Sequence, residues 1–320
     1  MQKFELKKLD RNNQIDYQKW KKCIQQFKGT TIFHDPDFLS YHKRKFQEFH
    51  LGVFKGQELF GIIPMAISKK NEEIANSPYG GSYGGFIFSE VLNYSDSIEI
   101  VDLFIEFLKK IKIKKIVLTP PLPVYYDIYS NTFIFSLIEK GMVCINSDIS
   151  SLVYLSENNK LNFNHRAKRV LKKINLESVN IDFDSNLTDF IILLNKTYKK
   201  HGVSPTHTNQ ELNYLKKIFR KKIKFSVAYC NNEPVSGICE FEINKKVLQS
   251  YYICQDYEYK KKNIQTYHIK NLLDKAYING YSIYDLGTSS VNTKGRKNIF
   301  SFKEGLGAVG HLKNTYKLKI

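Results

Sequence analysis

The stretch that decides the fold occurs twice. GIIPMAISKK at residues 61–70 and GICEFEINKK at residues 237–246 match in register at Gly61/Gly237, Ile62/Ile238, Ile67/Ile243, Lys69/Lys245 and Lys70/Lys246. Each follows a strand-like run, HLGVFKG ending at Gly56 and KFSVAYC ending at Cys230. A short polar turn joins each pair, Gln57 and Glu58 in the first and Asn231, Asn232, Glu233 and Pro234 in the second. Strand, turn and strand read as a β-hairpin, here present in two copies.

The surroundings repeat as well. Before the first hairpin, a helical pattern around residues 17–20 leads through the loop TTIFHDPDF to a second helix from Leu39. Before the second hairpin, a helix from Leu187 to Lys200 leads through HGVSPTHT to a helix over residues 210–220. After the hairpins come IEIVDLFIEFLKKI with the strand KKIVLT, and YHIKNLLDKAYING with the strand SIYDLG. This doubled order predicts an α/β chain of two tandem duplicated units, each a mixed sheet flanked by helices. The boundary is expected near residue 150, giving domains 1–150 and 151–320, the second carrying most candidate catalytic residues.

Composition bounds the function. The 320 residues are 42% apolar and 25% charged, which suits a packed soluble core and excludes wholesale disorder. Lys and Arg number 49 against 31 Asp and Glu, a net charge of +18. The expected partner is anionic: nucleic acid, a phosphate-bearing metabolite or an anionic membrane surface. The five cysteines are odd in number and none is spaced CxxC, so neither a disulfide framework nor a zinc site is expected. The N-terminal residues lack the apolar core of a signal peptide, and no run of 18 apolar residues occurs, so no transmembrane segment and a cytoplasmic location are expected.

Several segments together carry a family resemblance. They are LGVFKGQELFGIIPM, SPYGGSYGG at residues 77–85, NHRAKRVLKKI at residues 164–174, TYKKHGVSP, VAYCNNEPVSGICEF, YDLGTSS at residues 284–290, and FSFKEGLGAVG at residues 300–310. In this order the chain resembles the FemABX-like branch of the GNAT acyltransferase superfamily, especially BioF2-like acetyltransferase domains. The resemblance implies two tandem GNAT-like folds and a transferase that moves an acyl or aminoacyl group onto an amine. Implied acceptors are amino sugars, sugar nucleotides and cell-envelope or polysaccharide precursors. Implied donors are acyl-CoA, another acyl-thioester or aminoacyl-tRNA, with no permanently bound cofactor. Two departures stand out. YEYKKKNIQTYHIK lacks the Gly-rich loop with which GNAT proteins hold the CoA pyrophosphate. No long inserted helical hairpin of the kind found in tRNA-using members is evident.

Acyl transfer to an amine needs deprotonation of the amine, stabilisation of the carbonyl oxygen and alignment of both substrates. Lys303, beside Phe302 and ahead of Gly305 and Gly307, is the first catalytic candidate, because the family's matching Lys lies at the active site. Asp285, at the end of the YDLG strand, and Glu240, in the second hairpin, are candidate proton acceptors; each also suits a structural role. Strand alternation puts Glu240 and Glu242 on one face, with Cys239 and Phe241 on the other. Arg166 and Arg169 share a helical face with Lys173 that suits phosphate oxygens, against an apolar stripe of Val170 and Ile174. Tyr79 and Tyr83 in the Gly-rich loop, Tyr252 and Phe302 are candidate substrate contacts; each tyrosine equally suits the core. No residue spacing indicates a metal site. The competing reading is a non-catalytic basic nucleic-acid-binding protein, with residues 164–174 and KKIFRKKIK at residues 216–224 as its footprint.

Overall fold

The computed structural model describes residues 3–27, 29–42, 45–185 and 187–320. They form two compact units: the residues up to Ser147 together with Leu312–Ile320, and Asp148–His311.

The first unit opens with β1 (Glu5–Leu9), α1 (Gln14–Gln26) and the short α2 (Pro36–Leu39). The hairpin follows as β2 (Gln47–Lys55) and β3 (Glu58–Ser68), then β4 (Asn71–Ser77), β5 (Ile87–Phe88), α3 (Tyr94–Lys110), β6 (Lys115–Leu118) and α4 (Thr132–Glu139). The strand β7 (Val143–Tyr154) leads into the second unit, which continues with α5 (His165–Lys172), β8 (Val179–Asp182), α6 (Leu187–Lys200) and α7 (Asn209–Ile218). Its hairpin is β9 (Ile223–Cys230) and β10 (Glu233–Asn244), followed by β11 (Val247–Gln255), α8 (Ile264–Ile278) and β12 (Ile283–Thr288). The short β13 (Ser290–Val291) and β14 (Lys294–Gly295), then α9 (Lys297–Gly305) and β15 (Val309–Lys319), complete the chain.

Both quoted repeats are second strands of antiparallel hairpins, β2 with β3 and β9 with β10. Each hairpin adds a further antiparallel strand, β4 or β11. That strand then runs parallel to the strand beyond the next helix, β6 or β12. Each unit is thus a mixed sheet with helices against it, as the doubled element order predicts.

Burial follows the strand period. In β3, Ile63 and Met65 join the core beneath α3, where Ile100, Phe104 and Leu108 recur at helical spacing. Ile62 and Ala66 face the other way, onto Trp20 and Cys23 of α1. In α6, Phe190, Leu193, Leu194 and Thr197 make the buried stripe. On the opposite side of that sheet, α8 sets Ile269, Leu272 and Leu273 against Ile238 and Tyr284.

Three details differ from the sequence reading. The helix expected from Leu39 instead ends there: Asp35 caps α2 by accepting from the Asp37 N–H at 3.0 Å, and a 3-10 turn over Ser40–His42 follows. Residues 43 and 44, within that expected helix, lie outside the described residues. The basic helix stops at Lys172, so Ile174 cannot extend its stripe; Ala167 and Leu171, four apart, pack on the core instead. The last nine residues, expected in the second domain, group with the first unit. There Tyr316–Lys319 pairs antiparallel with Lys115–Leu118 of β6, and Leu318 is fully buried beside Ile116.

That placement is testable. Leu318→Ala should destabilise the protein by about 2–5 kcal/mol in chemical denaturation. Lys319→Ala, at the exposed neighbouring position, should change stability by less than about 0.5 kcal/mol. Indistinguishable effects would remove Leu318 from the core.

Candidate active site

The second unit's site arises where two parallel strands part. β11 and β12 pair at Val247↔Ile283, Leu248↔Tyr284 and Gln249↔Asp285, and their ladder ends there. Side chains close the sheet at this point. The fully buried Asp285 carboxylate accepts from the Ser150 hydroxyl at 2.7 Å, the Gln249 amide at 2.5 Å and the Gly287 N–H at 2.7 Å. The Ser250 hydroxyl donates to the Asp285 carbonyl at 3.3 Å.

Lys303 enters the same place from α9. Its ammonium donates to the carbonyls of Gly287 and Thr288, each at 2.8 Å, and the residue is only 5% exposed. Burial lowers its pKa from 10.5 to about 8, while the negative charge of Asp285 pulls the other way. Gly287 has a φ of 77°, the left-handed backbone that favours glycine, between the carboxylate and the ammonium.

The FKEGLG end explains how α9 is held. A Cβ on Gly307 would sit 2.8 Å from that of Asn162, and one on Gly305 would lie 3.2 Å from the Asn164 side chain. The Asn164 N–H donates to the Gly305 carbonyl at 3.0 Å. The Asn164 side chain caps α5 by accepting from the Ala167 N–H at 2.8 Å. One asparagine thus ties the start of the basic helix to the end of the lysine helix. Arg166 and Arg169 lie exposed on α5, with Ala167 turned to the core. Phe302 is half-buried against the α8-side core.

Glu240 does not join this cluster. Tyr284 and Asp285 are consecutive in β12 and point to opposite faces. Glu240 accepts from the Tyr284 hydroxyl at 2.7 Å, which puts it on the α8 face. Glu242 is on the same face, accepting from Tyr281 at 2.7 Å. Tyr252 is buried: its hydroxyl lies 2.7 Å from His207 Nδ1 and accepts from the His207 N–H at 3.2 Å. Burial pushes the Cys239 and Cys254 thiols well up, away from nucleophile chemistry. No cluster of metal-ligating side chains occurs among the described residues. Sequence reasoning missed Ser150, Gln249 and the Gly287 and Thr288 carbonyls. Only the register of β11 against β12 brings Gln249 beside Asp285, and no local pattern signals it.

The Gly-rich loop lies in the first unit and packs on itself. Ser77 ends the parallel ladder of β4 with β6, and its hydroxyl accepts from the Gly85 N–H at 2.8 Å. The Gly84 N–H donates to the Thr119 carbonyl at 2.8 Å. The Tyr79 and Tyr83 rings are buried, the first against Phe46 at 5.3 Å and the second edge-on to Tyr125 at 5.4 Å. Gly80 leaves room for the His42 ring, which a Cβ would meet.

Burial raises the Glu240 carboxyl from 4.5 to about 7, with the Tyr284 hydroxyl opposing the shift. Between these values the folded state holds a proton that the unfolded chain has released. Stability therefore falls as pH rises through this window. Glu240→Gln should melt above the parent protein at pH 8, with the gap closing by pH 4.5. A gap of equal size at both pH values would refute the buried-charge account.

No family model matches the chain, and no curated protein matches it. Solved structures do. FemX superposes at a TM-score of 0.71 with 12% identity, covering 98% of this chain and 97% of that one. The C-terminal DUF2156 domain of an Agrobacterium fabrum protein gives 0.61 and 11%, covering 94% and 92%. A tandem GNAT protein from the clavulanic acid biosynthesis pathway gives 0.58 and 9%, covering 99% and 98%. With two copies of one mixed α/β unit in a single polypeptide, the chain has the FemABX-like tandem GNAT fold.

Proposed function

We propose that the chain is an N-acyltransferase. It moves an acyl or aminoacyl group from an activated donor to the amine of an amino sugar, sugar nucleotide or cell-envelope precursor. The observation that carries this reading is the buried Lys303 ammonium where β11 and β12 part. The fold shared with FemX and with a tandem GNAT protein supports it.

The amine lone pair attacks the donor carbonyl carbon. A C–N bond forms, and the C–S bond of a thioester or the C–O bond of an aminoacyl ester breaks. The amine's proton ends on the departing thiolate or alkoxide. Backbone N–H groups of β11 beyond Gln249 face the developing oxyanion. An ammonium has three N–H donors; the Gly287 and Thr288 carbonyls take two of Lys303, and the third serves the negative charge. Asp285 acts as a positioning residue, because three donors already engage its carboxylate.

The donor is acyl-CoA, another acyl-thioester or aminoacyl-tRNA. Lys260, Lys261 and Lys262 precede α8, and Arg166 and Arg169 are exposed on α5. These cations suit the phosphates of any of the three donors and of a nucleotide-linked acceptor. No helix among the described residues is long and apolar enough to cross a membrane. The exposed arginines also favour a second reading, a non-catalytic nucleic-acid binder. That protein would show steeply salt-dependent RNA binding and no acyl transfer.

The test starts with a thermal-shift panel of acyl-CoAs, amino-sugar nucleotides, peptidoglycan precursors and tRNA, which identifies the pair to assay. Lys303→Met, shown to be folded, should lower kcat/KM by about 10²–10³, the usual loss for one oxyanion donor. Because Lys303 must be cationic, the parent rate should fall as pH rises through about 8. Lys303→Arg should retain activity above that pH. Full turnover by folded Lys303→Met would sink the proposal.

A further inference from the structure

The first unit has an open cavity of about 310 Å³ between β5, the end of β6 and α4. This volume is at the lower end of the range that holds small-molecule ligands. The deep wall is hydrocarbon: Phe86, Phe88, Leu118, Phe133, Ile134 and Leu137. It is also anchored. The Phe86 and Phe88 rings stack at 5.6 Å, Phe133 packs edge-on to both at 5.0 and 4.8 Å, and Phe86 abuts Phe104 of the core at 4.9 Å.

Polar groups along the lining are few: the Tyr126 and Tyr129 side chains, whose rings lie 5.3 Å apart, the Ser130 hydroxyl, 2.7 Å from that of Thr132, and Ser89 and Glu90 at the exposed edge. The mouth is apolar too. Val91 and Ile128 line it while being 52% and 61% exposed. Beside it on α4, Phe135 is 55% exposed and its ring lies 6.4 Å from that of Tyr94, itself exposed. Single exposed apolar residues are ordinary, but a group of them at the mouth of an apolar cavity marks a binding site.

The wall chemistry selects the occupant. A peptide segment would carry an N–H and a C=O at every residue against a wall with only the Tyr126, Tyr129 and Ser130 hydroxyls to meet them, at a desolvation cost. A nucleotide or sugar would strand more polar groups still. A hydrocarbon chain carries none. We propose that this cavity binds a single aliphatic chain of an amphiphile, which enters past Val91 and Ile128 and leaves its polar head at the exposed edge. The site lies within the first unit and does not rest on the transfer chemistry proposed for the second.

Titration of the full chain with the fluorescent fatty acid cis-parinaric acid tests this directly. One saturable site per chain is expected. Competition by saturated C8 to C16 acids, below their micelle concentrations, should strengthen roughly tenfold for each two methylenes. It should level off once the chain outgrows the cavity. Co-sedimentation with phosphatidylcholine vesicles separates the two sources: binding there as well points to a lipid-borne chain, binding of the free acids alone to a fatty acid. Ile128→Asp, at the exposed mouth, should weaken binding at least tenfold without changing Tm. Ile134→Trp, which fills the cavity, should abolish it. The inference is overturned by the absence of a saturable site, or by binding that ignores both chain length and the Ile128 substitution. It is equally overturned if Ile128→Asp breaks a dimer of this chain while no fatty acid binds.

Discussion

The parting of β11 from β12 after three residue pairs is the constraint on which the site depends. A parallel ladder that stops inside a unit leaves backbone groups needing other partners. Here the partners are side chains. Ser150, Gln249 and the Gly287 N–H converge on Asp285, and Lys303 takes the carbonyls of Gly287 and Thr288. One strand end therefore carries a buried anion and a buried cation around a glycine turn. The geometry is costly to assemble and correspondingly specific.

The two copies of the unit resolve the same constraint differently. In the first, β4 and β6 also run parallel and stop, at Ser77 and Leu118. The chain then folds back on itself: Ser77 Oγ holds the Gly85 N–H, and the Thr119 carbonyl holds the Gly84 N–H. A serine hydroxyl and a backbone carbonyl satisfy the two N–H groups, and no charged side chain takes part in these bonds. In the second copy a lysine from a remote helix does that work. The two copies thus close the same kind of opening in two ways, one without a charged group and one with a buried lysine.

Charge burial has a thermodynamic signature. The Lys303 pKa is lowered in the folded state, so between about 8 and 10.5 the unfolded chain holds a proton that the folded protein has lost. Stability gains with pH across that range and carries the desolvation cost below it. Glu240 behaves in the opposite sense from the other face of the sheet, with its raised carboxyl. Neutral pH is therefore where both buried groups weigh on stability.

Much was legible in the sequence because it is local. Hairpin turns, the 3.6-residue stripe of Leu187–Lys200 and the strand alternation of Glu240 against Cys239 all depend on near neighbours. The doubled order of elements followed from reading those signals twice. Lys303 is a candidate through the family resemblance and Asp285 through its place at a strand end, and the structure sets both at the end of β12. Contacts between distant residues were not legible. Ala167 and Leu171, rather than Val170 and Ile174, join the core: Ile174 lies beyond the end of α5 at Lys172, and Ala167 and Leu171 belong to the cluster of Phe163 and Leu306. Glu240 is separated from Asp285 because it meets Tyr284, which points to the opposite face of β12, and neither strand's own sequence shows that pairing. The C-terminal strand groups with the first unit because β6 offers Lys115–Leu118 as its partner. Sequence by itself determined the elements, their duplication and the residue types available for chemistry. Tertiary structure alone decided which of them meet, since strand register and parallel pairing join residues that share no local pattern.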